Sequence, residues 1–146
     1  MNYAISSGHR ALELAQELGD PVLIASARHF LVGVYHTLGQ YKEAIRIGLD
    51  AAHAGEELVA KGLGRGVLGI IPWFLAPSYA QIGGFTEALS IGEALMRRAE
   101  AVEHPFSIVG LCIALGLVHL RRGTANEAIT FLERGINLCR TCGLDT

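Results

Sequence analysis

The side chains best suited to chemistry are three cysteines and six histidines in a chain of 146 residues. Cys139 and Cys142 form a C-x-x-C pair, a spacing found in redox pairs and in half of a zinc site. No second C-x-x-C and no paired histidine motif completes such a site, which favours two small residues one turn apart near a helix end. The odd cysteine count, with Cys112 as the third, indicates a reduced protein and predicts a cytoplasmic location.

His29 and His36 are seven residues apart and would share one face of a helix, two turns from each other. A zinc site needs three or four convergent ligands, so these two would need further ligands from other helices. We therefore predict no metal and no cofactor. For His119, packing within the core is the simpler interpretation.

Motifs for nucleotide binding and hydrolysis are also missing or out of context. A formal G-x-G-x-x-G runs from Gly64 to Gly69, but it follows a predicted helix, whereas a phosphate cradle needs a strand before it. A loop between helices is the favoured interpretation. The sequence contains no P-loop, no H-E-x-x-H and no G-x-S-x-G. With its carboxylates scattered over predicted outer helix faces, the chain is predicted not to be an enzyme.

Composition excludes several further classes of protein. Hydrophobic residues make up 51% and charged residues 18%, which is unlike a disordered tail. A net charge of -2 gives no basic surface for nucleic acid or for an acidic membrane. The two longest uncharged stretches, 66–86 and 104–120, are interrupted by prolines. They predict buried helices of a soluble protein rather than membrane spans.

The elements that would position any site come from an internal repeat. Three segments of eight residues align, with Gly39, Gly83 and Gly123 at the same place and steps of 44 and then 40 residues. In each copy an apolar helix precedes the glycine, the glycine ends it, and a second helix begins shortly after. The aligned segments span 38–45, 82–89 and 122–129, and a partial fourth copy begins at Ala4.

Capping signals mark several helix starts. Asp20 followed by Pro21 predicts a capped helix, His104 followed by Pro105 repeats the pattern, and Thr124 with Glu127 predicts a capping box. Together these signals predict seven helices, at about 3–18, 21–38, 41–58, 71–82, 86–102, 106–122 and 125–141.

The segment 61–78 departs from the repeat. Four glycines between Gly62 and Gly69 predict an irregular loop, and Pro72 is expected to open the next helix. Pro77 would then lie inside that helix and should kink it or end it.

The motifs Leu-Gly-x-Tyr-x-Glu-Ala-Ile from Leu38 and Ile-Gly-x-Phe-x-Glu-Ala-Leu from Ile82 resemble the tetratricopeptide repeat (TPR). HEAT-type and armadillo-type repeats share the long period but lack this junction. The resemblance implies an all-α solenoid, a right-handed superhelix of antiparallel helix pairs in one domain, 1–146, that looks like part of a longer array. A partial repeat covers 1–19, and full repeats cover about 20–60, 61–103 and 104–146. The standard period is about 34 residues, and longer copies are similar to arrays in large bacterial regulators with nucleotide-cyclase or ATPase modules.

The resemblance also implies a binding site, since the first helix of each TPR pair lines a concave groove. Only one groove position, Arg121, is a cation of the kind used to clamp a peptide carboxylate. The largely apolar remainder suits an amphipathic helix, an extended apolar peptide or a partner subunit, with Trp73 as the anchor. Trp73 packed in the core is the alternative. The groove residues that carry over are His29, His36, Trp73, Gln81, Ile113, Leu117 and Arg121.

We therefore expect a non-catalytic interaction or scaffold module from the regulatory region of a signalling protein. The alternative is an array that senses a small molecule and controls an attached effector domain. The last helix offers an apolar face, including Ile129 and Ile136, that lacks a covering neighbour and could pair with a second copy. A concentration-independent monomer mass in light scattering after size exclusion would exclude that pairing.

Overall fold

The computed structural model describes residues 2–61 and 73–143. Within these ranges the fold is all-α, with seven helices and no strand, which confirms the predicted all-α class. Their bounds are α1 Asn2–Glu17, α2 Pro21–Thr37, α3 Tyr41–Ala60, α4 Leu75–Gln81, α5 Phe85–Ala101, α6 Pro105–Arg122 and α7 Ala125–Cys142.

Glycines follow most of these helices in the left-handed conformation, which only glycine adopts without steric cost. The three aligned glycines have φ values of 74°, 84° and 85° at Gly39, Gly83 and Gly123, as predicted for residues that end a first helix. Gly19 after α1 and Gly143 after α7 each have a φ of 65°. The residue after α5 that takes this conformation is not a glycine: Glu103 has a φ of 51°.

Two of the three predicted helix caps are confirmed. The Asp20 carboxylate accepts hydrogen bonds from the backbone N–H groups of Val22 and Leu23, at 2.9 and 3.1 Å. His104 Nδ1 accepts from the N–H of Ser107 at 3.2 Å. The predicted capping box at Thr124 is wrong, because its hydroxyl donates to the carbonyl of His119 instead of accepting from α7.

The predicted effect of Pro77 is also wrong. Helix α4 starts at Leu75 rather than near residue 71, so Pro77 is its third residue. The first hydrogen bond of the helix runs from the N–H of Ser78 to the carbonyl of Phe74, at 2.9 Å. Because N–H groups of a first turn have no partner within the helix, proline costs little there. The predicted loop at 62–69 and Pro72 lie outside the described residues.

One packing contact recurs three times along the chain. A glycine on one helix faces a fully buried leucine on the next first helix, so closely that a Cβ atom on the glycine would approach the leucine side chain within 2.5–2.8 Å. Because the glycine has no side chain, the leucine fills that space and the two helices approach closely. The pairs are Gly8 with Leu31, Gly48 with Leu75 and Gly92 with Leu115.

In the last pair of helices, α6 and α7, the leucine lies on the second helix and the glycine on the first. Leu132 stands where the alignment places Gly92 in the preceding copy, and it packs on Gly116, where an added Cβ would lie 2.8 Å from the leucine. Ile129 and Ile136 on the same helix are 53% and 50% exposed. Pairing of this face with a second copy remains a prediction.

Ala128 packs between α6 and α7 with 2% of its surface exposed, like its counterparts Ala44 and Ala88 at 0%. We expect Ala128→Glu to lower the free energy of unfolding by about 3 kcal/mol or more, because it buries a carboxylate without a partner. Urea unfolding measures the loss. Ala125→Glu is the matched control, since Ala125 is exposed in the first turn of α7 and should shift stability by less than about 0.5 kcal/mol. Equal losses in the two variants would contradict this packing.

Glu103 adopts a left-handed conformation that costs an L-residue about 1–2 kcal/mol relative to glycine. Glu103→Gly should therefore raise the free energy of unfolding by up to about 1 kcal/mol, after the entropic cost of glycine in the unfolded chain. The comparison is Glu133→Gly, at an exposed position inside α7, which should lose about 1 kcal/mol. A loss of stability in Glu103→Gly would show that this backbone is not strained.

Candidate functional site

The predicted site residues lie on α2, on α4 and the turn before it, and on α6. We call this surface the first-helix face. Helix α6 contributes most of it, as an apolar stripe at helical spacing. Among the stripe's large side chains, the exposed fractions are 53% for Phe106, 48% for Ile113, 43% for Leu117 and 59% for Leu120. Contiguous exposed apolar side chains of this kind typically mark an interaction surface.

Trp73 lies in the turn before α4, not on the helix itself. Its ring centroid is 5.7 Å from that of His29 on α2 and 5.1 Å from that of Phe106 on α6. The indole covers Gly110, where an added Cβ would come within 2.3 Å of the ring. Trp73 thus connects α2 to α6 and is half-buried. It packs against the main core cluster while part of its surface remains exposed.

His36 lies near the other end of the face. Its Nδ1 is 2.9 Å from the hydroxyl oxygen of Ser78, and that hydroxyl donates to the carbonyl of Phe74 at 2.6 Å. Because the Ser78 proton is used in that bond, Nδ1–H of His36 is the donor to Ser78. Partial burial lowers the pKa of His36, and the nearby positive charge of Arg121 lowers it further. Both effects favour the neutral form of the imidazole.

The charge on this face is one-sided. None of the helices α2, α4 and α6 contains an aspartate or glutamate, whereas α1, α3, α5 and α7 all do. Arg121, in the last turn of α6, is exposed and forms no ion pair with any described residue. These helices carry three arginines, Arg28, Arg121 and Arg122, and Arg121 is the one near His36.

The structure brings some predicted site residues together and leaves others apart. His29 contacts Trp73, and Arg121 is close enough to His36 to affect its pKa. Ile113 and Leu117 share the α6 stripe, while Gln81 is half-buried at the last residue of α4.

Sequence reasoning missed the exposed Phe30 and Phe106, and the fully buried Ser78 that contacts His36. Phe106 could have been found from the sequence, because it lies four residues before Gly110 and continues the α6 stripe at helical spacing. Phe30 is 71% exposed beside His29, and a lone phenylalanine on an apolar helix gives no signal of exposure. Ser78 meets His36 across 42 residues of chain, a contact that only the tertiary structure shows.

Other candidate chemistry gains no support from the geometry. No group of three or more His, Cys, Asp and Glu side chains in the described ranges could hold a metal ion. The three cysteines are free thiols. Burial raises the pKa of the Cys112 thiol, which keeps it protonated and unreactive.

By length and composition, helix α6 is the one described helix that could cross a membrane. Of that helical window, 44% is buried inside the fold, and the rest includes the exposed stripe of the first-helix face. The core helix of a helical stack meets the same criterion, so this feature is weak evidence for a membrane span.

Comparisons with family models, with curated proteins and with solved structures found no match to this chain.

The His36 site predicts a pH dependence of stability. Since its folded pKa lies below the ordinary value of about 6.5, the unfolded state binds the proton more tightly. The contribution of neutral His36 to the free energy of unfolding is therefore fully present above about pH 6.5, the ordinary pKa of histidine. It declines as the pH falls below that value towards the lower pKa of the folded state. We expect His36→Asn, which keeps an N–H donor for Ser78, to reduce the loss of stability between pH 7 and pH 5, as measured by urea unfolding.

The control is Gln16→Asn, because that exposed side chain carries no titratable group and its replacement should leave the pH profile unchanged. If His36→Asn and the wild type lost the same free energy on acidification, His36 would not be held neutral by the fold.

Proposed function

We propose that this chain is a non-catalytic interaction module of the tetratricopeptide type, which holds a helix, a peptide or a partner subunit on its first-helix face. The observation that carries the proposal is the exposed apolar stripe of α6, flanked by Trp73 and closed at one end by Arg121. We further propose that it belongs to the cytoplasmic regulatory region of a larger signalling protein, as the resemblance to long-period arrays implies.

The repeated packing supports a tetratricopeptide-type array. The same glycine–leucine contact recurs at each step from a second helix to the next first helix, and the motif glycines adopt one conformation. A repeating contact with a small rotation per step generates a superhelix with one concave side. In this family the first helices line that side, which makes the first-helix face a groove.

The energetics favour occupation of this surface. Complete burial of one large apolar side chain contributes about 1.5–3 kcal/mol. Covering four that are about half exposed would contribute on the order of 4 kcal/mol. On its own that contribution corresponds to a Kd of about 1 mM before the cost of association. Further contacts of the partner, with Trp73 as a rigid aromatic anchor, must therefore supply the rest of the affinity.

The alternative, a sensor of a small molecule, receives less support. Such a sensor would bind its ligand in an enclosed pocket with converging polar groups. The clefts on the described residues, of about 370–540 Å³, are open surface depressions. One of them, of about 400 Å³ at Phe30, Gly33 and Val34, lies beside the first-helix face and is almost wholly apolar. An open apolar surface suits a macromolecular segment better than a small polar inducer.

Selection of a phage-displayed library of helical peptides on the immobilised chain tests the proposal. We expect enriched peptides whose affinity drops at least about tenfold for Leu117→Glu, because a carboxylate in the stripe opposes apolar contact. Leu117 is already 43% exposed, so the fold should tolerate the change.

Ile129→Glu is the matched control, since Ile129 is 53% exposed on α7 and away from the first-helix face. It should leave the affinities unchanged. Failure to enrich any peptide, or peptides that bind Leu117→Glu as tightly as the wild type, would contradict binding at this face.

A further inference from the structure

The groups that the first-helix face exposes favour one backbone conformation in the binding partner, which we call the occupant. The face is built from helices, whose backbone N–H and C=O groups are already paired within each helix. The exposed stripe from Phe106 to Leu120 offers apolar side chains and no backbone edge. An extended peptide covering it would leave its own backbone groups without partners. A helix satisfies these groups internally, so the face suits an amphipathic helix better than a strand.

The charge on the face defines the occupant's polar group. Arg121 has no acidic partner among the described residues, and α2, α4 and α6 carry no carboxylate of their own. An arginine that gains a carboxylate partner during partial desolvation forms a charge-assisted hydrogen bond. A lysine or arginine of the occupant at that place would instead meet repulsion from Arg121. The group that complements Arg121 is therefore an aspartate or glutamate.

The distance between the two ends sets the spacing in the occupant. Trp73 covers Gly110, and Arg121 lies eleven residues further along the same helix. At a rise of 1.5 Å per residue the two points are about 16 Å apart. A helix lying along α6 spans that distance in about three turns, which returns its side chains to the same face.

The dipoles of the two helices define the direction. Arg121 is in the last turn of α6, where the backbone carbonyls carry partial negative charge. An antiparallel occupant places its positive N-terminal end there, and an acidic residue is most favourable in the first turn of a helix. Its C-terminal half then lies over Trp73 and Phe106.

We propose that the first-helix face binds an antiparallel amphipathic helix with an acidic residue in its first turn, opposite Arg121, and an aromatic side chain about three turns later, against Trp73 and Phe106. This inference depends on the proposed function, since it names the partner chemistry of the same face.

Two synthetic peptides test it. Both are alanine- and glutamine-based helices with leucines along one face and a phenylalanine near the C-terminus. The first has glutamate in its first turn, about three turns before the phenylalanine, and the second has glutamine there. Trp73 is the only tryptophan in the chain, so its intrinsic fluorescence reports occupation of the site directly.

We expect the glutamate peptide to bind the wild type about fivefold more tightly than the glutamine peptide, at low salt, as for a partly desolvated charge pair. Arg121→Gln should remove this difference. Arg122→Gln is the matched control, because it removes the neighbouring charge from the same helix turn and should preserve the difference.

The outcomes separate the two proposals. If both peptides bind the wild type with equal affinity, the pairing with Arg121 is wrong while binding at the face stands. If the affinity difference between the two peptides persisted in Arg121→Gln and disappeared in Arg122→Gln, the glutamate would pair with Arg122, and the proposed contact with Arg121 would be wrong. If neither peptide changes the Trp73 fluorescence or binds by calorimetry, the proposed function itself is contradicted.

Discussion

The close approach between a glycine on one helix and a leucine on the next is the contact on which this structure depends. At Gly48 even a methyl group would come within 2.8 Å of Leu75. Because the leucine fills the space that a side chain on the glycine would need, the two helices lie closer than ordinary side chains permit. The same contact recurs at Gly8 and Gly92.

That regular stacking has a consequence for the first helices. Leu31, Leu75 and Leu115 are fully buried against these glycines, which fixes the side of α2, α4 and α6 that faces the preceding helix. Phe74 lies on Gly33, and Trp73 lies on Gly110, so glycines again provide the space in which neighbouring first helices meet. The apolar stripe of α6 is left exposed beside these contacts. The surface that we propose for binding is thus a by-product of how the core is assembled.

Local signals in the sequence predicted the helices well. Gly39, Gly83 and Gly123 end their helices because only a residue without Cβ takes up the left-handed turn at no cost. Asp20 starts α2 because its carboxylate satisfies two free N–H groups. These are short-range effects, which a few neighbouring residues decide. The errors at Pro77 and Thr124 arose where the actual starting residue, or a competing partner such as the carbonyl of His119, altered the local geometry.

The repeat, the helices and the acid-free composition of the first helices were therefore determined by the sequence itself, because they depend on residue type and spacing. Only the tertiary structure decided which side chains share the first-helix face. His36 meets Ser78 across 42 residues, and Trp73 joins His29 to Phe106 from a turn rather than from a helix. Such contacts depend on how far each helix is rotated and displaced against the next. That rotation is set by packing between distant segments, which residue spacing along the chain does not encode.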